Sequence, residues 1–259
     1  MVEQALQVQD YYPAPFWFLN HQLEKVELKR QLELMKQQGI RAFFMHPRAG
    51  LLTPYGSRQW FEIIRWIVVE AEKLGLQAWL YDEDPFPSGP AGGRIFLDNP
   101  EFAARGLVFQ ELEPDAAGRV DADLGEGRLL EALAVCCDEA GNVLESRDLF
   151  HDVGVLRTDF FHTLWRSPYY VHLYGNCEYP HYRAETFFPH LQLQTELPSG
   201  WKVYVVSAVT VEGSKYRYIP DNLNPECVQA FIRLTHEKYL EYLGDKFGNV
   251  VPGIFTDET

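Results

Sequence analysis

The chain has 259 residues, of which 46% are hydrophobic, 14% aromatic and 23% charged, enough to bury a sizeable core in one large domain or two small ones. Its formal net charge of -14 argues against a grip on nucleic acid or on anionic membrane, and a neutral polar ligand fits better. Cys136, Cys137, Cys177 and Cys227 lack zinc-site spacing, and an adjacent pair is a poor disulfide framework, so reduced thiols are expected. The start, Met1 to Gln7, has neither a basic nor an apolar leader region, and no run is long enough to span a bilayer, so a cytoplasmic location is expected if residue 1 is the natural start.

Residues 14–20 read as a short aromatic strand ending on Asn20 and His21, and a helix follows over about 23–38, with Leu28, Leu32 and Met35 on one face and Gly39 as its cap. Residues 40–45 read as a second buried strand ending on His46, Pro47 and Arg48. Ser57 then caps a helix whose Trp60, Ile63, Ile64, Ile67, Val68, Ala71 and Leu74 form a wide apolar stripe closed by Gly75. A third buried strand, Leu76 to Tyr81, breaks at Asp82-Glu83-Asp84 and enters a Pro- and Gly-rich loop that cannot extend it. Strand and helix alternating over short connections predict parallel βαβ units.

Asn99-Pro100 predicts a capped, brief helix, and from about Arg105 the rhythm changes to period-two runs at 106–112, 129–138 and 201–212, broken by turns. An inserted antiparallel β unit is therefore expected over 105–216, with 150–195 unassigned. The βα rhythm resumes where Asn224-Pro225 opens a helix with Val228, Phe231, Ile232, Tyr239 and Leu243 on one face. Residues 250–255 form a last buried strand ending on Thr256-Asp257-Glu258. Residues 1–104, 105–216 and 217–259 are thus read as three βα units of a TIM-like barrel, a β-rich insertion, and a return to the barrel. The expected fold is α/β, the first half of a (β/α)8-type barrel interrupted by an antiparallel β domain, and a half barrel implies a fragment of a longer protein. In such a barrel the polar strand ends converge on one face.

The segments Phe16-Trp17 to Asn20, Phe44 to Leu51, Tyr55 to Ser57, Trp79 to Glu83 with Pro87 to Gly89 and Ala91 to Gly93, Thr235 to Tyr239, and Gly253 to Glu258 resemble large bacterial glycoside hydrolases. These are multidomain TIM-barrel enzymes related to the α-L-rhamnosidases. The resemblance covers the barrel portions on both sides of the insertion and implies a β insertion at this place. It departs at Thr259, where the family usually has Pro, and in everything beyond. It implies a glycosidase using two carboxyl groups, about 5–5.5 Å apart in retaining and about 6.5–9.5 Å apart in inverting enzymes. Glu258 is where the resemblance places the general acid, with Asp257 favouring its protonated form by like-charge repulsion, and the partner carboxylate falls on a later strand.

Asp82 and Glu83 are assigned to substrate hydroxyls, against the plainer reading that, with Asp84, they cap a loop. His46, Arg48 and Asn20 are expected to meet sugar oxygens and Phe86 a sugar face, whereas Trp17 and Trp79 belong to the core. No cofactor is expected, with Ca2+ the one cation kept open. The partner is an oligosaccharide or glycoside, alongside self-association through uncovered half-barrel surfaces. Two rivals stand beside this reading. One is a metal-dependent barrel hydrolase using His21, His46 and Asp82, though no His-x-His pair ends the first strand. The other is a non-catalytic carbohydrate-binding fragment.

Overall fold

The structure, a computed structural model, describes residues 12–84, 86–167, 179–213 and 217–258. In chain order the elements are β1 (Phe16–His21), α1 (Lys25–Gln37), β2 (Ala42–Leu51), α2 (Arg58–Leu74), β3 (Gln77–Tyr81) and α3 (Arg94–Asp98). The strands β4 (Arg105–Leu112), β5 (Arg119–Glu126), β6 (Arg128–Cys137), β7 (Val143–Asp148), β8 (Val153–Ser167), β9 (Tyr179–Glu196) and β10 (Trp201–Thr210) come next. The short β11 (Glu212–Gly213) and β12 (Arg217–Tyr218) lead to α4 (Pro225–Leu234), α5 (His236–Leu243) and β13 (Ile254–Phe255). The molecule is a mixed α/β protein with several sheets and few helices.

It divides into two compact units, Met1–Phe102 with Thr163–Arg183 and Asn222–Thr259, and Ala103–His162 with Ala184–Asp221. The N-terminal leader expectation, Cys177 and Thr259 lie outside the described residues. Among the described residues no helix is long and apolar enough to cross a membrane, and Cys136, Cys137 and Cys227 are not in disulfides.

In the first unit β1, β2, β3 and β13 form one sheet in that order, each neighbouring pair parallel. Parallel neighbours need a crossover, and α1 lies between β1 and β2, α2 between β2 and β3. Alternation along each strand sends Trp17, Leu19, Phe43, Met45, Ala78 and Leu80 into the core shared with Leu28 and Leu32 of α1 and Trp60, Ile64, Ile67 and Val68 of α2. Each of these large side chains contributes about 1.5–3 kcal/mol on burial. α2 starts where Ser57 accepts the Trp60 backbone N–H at 3.1 Å and stops at Gly75, whose φ of 67° suits glycine. A hydrogen-bond chain ties the distant pieces together. Trp60 Nε1 donates to the Tyr239 hydroxyl at 3.1 Å, and that hydroxyl donates to the Tyr81 carbonyl at 3.2 Å.

Three boundaries differ from the sequence reading. The second strand continues past Met45 to Leu51, because Phe18 and Leu19 of β1 still pair with His46 and Pro47, so His46 and Arg48 stand within the strand. The helix expected as one from 225 breaks at Thr235 (φ -120°, ψ -75°), whose hydroxyl donates to the Phe231 carbonyl at 2.7 Å. The last strand is reduced to Ile254–Phe255, since Val251 bridges Phe247 instead.

The second unit holds an antiparallel sheet in the order β4-β10-β6-β7 and a three-stranded sheet β5-β9-β8. Val120, Leu124, Leu191 and Leu193 of the latter share one core with Ala132, Ala134, Val203 and Val205 of the former, a two-sheet sandwich. β5, β7, β8 and β9 were not legible in the sequence. β5 carries Asp121, Asp123 and Gly125 among its apolar positions, and Asp123 and Gly125 straddle a register shift.

Candidate functional site

The strand face turned away from α1 and α2 is aromatic. Phe16 meets Phe44 at 5.2 Å and Phe255 at 5.3 Å, Phe44 meets Trp79 at 5.4 Å, and Tyr81 stacks with Phe255 at 5.8 Å between ring centroids. Toward the C-terminal ends of the strands this layer turns polar. His46 stacks on Tyr81 with centroids 4.0 Å apart, and the Tyr81 hydroxyl donates to Asp257 Oδ2 at 2.9 Å. Burial first, and the Asp257 charge after it, push the Tyr81 phenol far up, so it remains a proton donor.

His46 is buried, and its Nδ1 lies 2.7 Å from the Pro47 carbonyl oxygen. A carbonyl only accepts, so Nδ1 carries the proton. Burial holds the His46 pKa below its ordinary value, with the Arg48 charge adding to the effect, and the ring stays neutral with its lone pair at Nε2. The Arg48 guanidinium sits 4.8 Å from the Phe18 ring centroid and 5.3 Å from that of Phe86. Phe18 and Phe86 remain 49% and 38% exposed, which leaves ring area for a ligand.

Behind this face Asp82 is fully buried and saturated by protein donors. Its Oδ1 accepts from Ser88 Oγ at 2.6 Å, and its Oδ2 accepts from Thr256 Oγ1 at 2.7 Å and faces His236 Nε2 at 3.2 Å. Thr235 Oγ1 gives its hydrogen to Phe231 and stands 3.0 Å from His236 Nδ1. The Nδ1 therefore lies toward the Thr235 hydroxyl oxygen and Nε2 toward Asp82. Ser88 extends the network to the last strand: its N–H donates to the Asp257 carbonyl at 2.7 Å, and its Oγ accepts from the Asp257 N–H at 3.0 Å.

Glu83 is also fully buried. Its Oε1 accepts from the N–H groups of Asp84 at 2.8 Å and Gly92 at 2.6 Å, and its Oε2 from that of Ala91 at 2.6 Å. Ala91 and Gly92 have φ of 52° and 66°, the left-handed turn that points successive N–H groups inward around an anion. The expectation that Asp82 and Glu83 hold substrate hydroxyls does not fit this burial: both carboxylates fasten the tip loop and the end of β13 instead.

Asp257 is half-buried and bound as described. Glu258 is exposed, with φ 51°, and makes no hydrogen bond among the described residues. Asn20 is exposed, as is His21 (φ 59°), at the end of β1. Among the described residues no group of three His, Cys, Asp or Glu side chains is spaced to hold a metal ion, so His21, His46 and Asp82 do not form the ligand set considered above.

A hollow of about 430 Å³ opens beside Ser88 and His236, walled by Cys227, Val228, Phe231 and Ile232. Sequence reasoning missed Tyr81, Ser88, His236 and Thr256 as parts of the site. All four lie in the segments quoted above, but hydroxyls and a helix-borne imidazole give no periodic signal.

Comparison with protein families and with curated sequences gives no match. Among solved structures, a rhamnosidase from Novosphingobium sp. PP1Y is similar over 94% of this chain at 13% sequence identity, with a TM-score of 0.45. The chain spans 38% of the length of that protein.

Proposed function

We propose that this chain is part of a carbohydrate-active hydrolase that cleaves O-glycosidic bonds, and that its parallel sheet is the first half of a (β/α)8-type barrel interrupted by the β-rich unit. The reading rests on one observation: the ends of β2, β3 and β13 meet through the His46–Tyr81 stack and the Tyr81–Asp257 hydrogen bond, with Glu258 the next residue along. In this reading Glu258 protonates the leaving glycosidic oxygen, and Asp257, oriented by Tyr81, stands beside it. His46 offers an acceptor, Asn20 and Arg48 offer donors, and Phe86 offers a ring face to the sugar. Asp82 and Glu83 act indirectly, by fixing the backbone that carries Asp257. The second carboxylate comes from beyond this chain, and the aromatic sheet face is covered by the remaining strands or by self-association.

A screen of aryl glycosides with the full-length protein tests the proposal. Release of the aryl alcohol from at least one sugar is expected, and inertness across the common hexosides, deoxyhexosides and uronides contradicts it.

A further inference from the structure

We propose that the sugar taken by this site is anionic, with a carboxylate received by Arg48. The inference rests on the glycosidase reading above and adds the charge of the sugar to it. In a chain with 37 acidic and 23 basic residues, arginines readily find carboxylates. Arg30 pairs with Glu27, Arg58 with Glu62, Arg65 with Asp245, Arg119 with Asp115 and Arg147 with Asp152. Arg128 and Arg233 are exposed and make no such pair with any described residue, whereas Arg48 is half-buried and still makes none. Among the described residues no carboxylate or carbonyl takes any of its N–H groups, and its contacts are the faces of Phe18 and Phe86.

Two aromatic rings beside a guanidinium shed part of its water without accepting from the N–H donors along its edge. That edge is a planar fork matched to the two oxygens of a carboxylate, and a neutral hydroxyl uses it less well. The placement suits a ligand. Arg48 stands two residues after His46 on β2, hence on the same strand face, where Tyr81 and Asp257 also meet. The exposed parts of Phe18 and Phe86 offer apolar area to the ring of the same sugar.

Isothermal titration of the chain with methyl glucuronide and methyl galacturonide, each against its neutral methyl glycoside, tests this, with glucose 6-sulfate as a further ligand. The uronide is expected to bind about 10-fold more tightly than its neutral counterpart at low salt. In Arg48→Gln that preference falls to within about 2-fold, the uronide losing more affinity than the neutral glycoside, and Arg48→Lys keeps part of it. Circular dichroism establishes that each variant is folded. Equal affinity for uronide and neutral sugar, a preference that survives Arg48→Gln, or tighter binding of the sulfate than of either uronide overturns the inference and leaves the glycosidase reading standing. Binding of none of these sugars overturns both.

Discussion

Glu83 carries a carboxylate into the interior and surrounds it with the N–H groups of Asp84, Ala91 and Gly92. Charge-assisted bonds of this kind hold the loop through its own backbone. Glu83→Gln keeps the shape but turns an amide NH2 toward a backbone donor, and is expected to lower unfolding stability by about 3 kcal/mol in urea titrations. His46 acts in the other direction. Its folded-state pKa is held below the ordinary value of 6.5, so below that pH the unfolded chain binds more protons than the folded one. Stability from this group is present above 6.5 and is lost as pH falls toward the folded value. Urea midpoints measured from about pH 7.5 down to about pH 5 are expected to fall more steeply for the native chain than for His46→Phe, which keeps the ring stack. At this scale the sequence marked Asp82, Glu83 and Asp84 as acids at a strand end, and their complete burial was not legible in it. Three acids in a row after a strand look alike in one dimension, and only the turn at Ala91 and Gly92 decides that Glu83 is enclosed.

The elements were legible wherever period and punctuation agreed. α2 has both, a wide apolar stripe between Ser57 and Gly75, and its ends fall as expected. The helix after Asn224 had the stripe but no visible stop, because Thr235 interrupts it through its own hydroxyl and not through Gly or Pro. That interruption falls one residue before His236, which reaches Asp82 across a separation no local pattern could reveal. β13 illustrates a packing constraint of the same kind. A Cβ on Gly253 would lie 2.9 Å from a Trp79 ring carbon, and that ring is itself packed on Phe44. Gly253→Ala is expected to cost about 1–3 kcal/mol in thermal or urea unfolding. Pairing it with Trp79→Leu should recover most of that loss, and strict additivity of the two changes would speak against the contact.

At the scale of the whole molecule, the alternation of strand and helix over residues 16–81 dictated a parallel sheet, because parallel neighbours require a crossover. The antiparallel strands were legible only in part, since β5 mixes acids and a glycine into its apolar positions. The catalytic proposal belongs to this scale as well, for it needs tips from separate strands to serve one reaction. Hydrolysis by the full-length protein and its Glu258→Gln variant, compared on an alkyl glycoside and on a dinitrophenyl glycoside, tests it most directly. A poor leaving group needs a proton from the enzyme and a dinitrophenolate does not. The account predicts a loss of about 10³-fold in kcat/KM on the alkyl substrate and little change in cleavage of the activated glycosidic bond. Unchanged turnover of the alkyl glycoside by Glu258→Gln would contradict it.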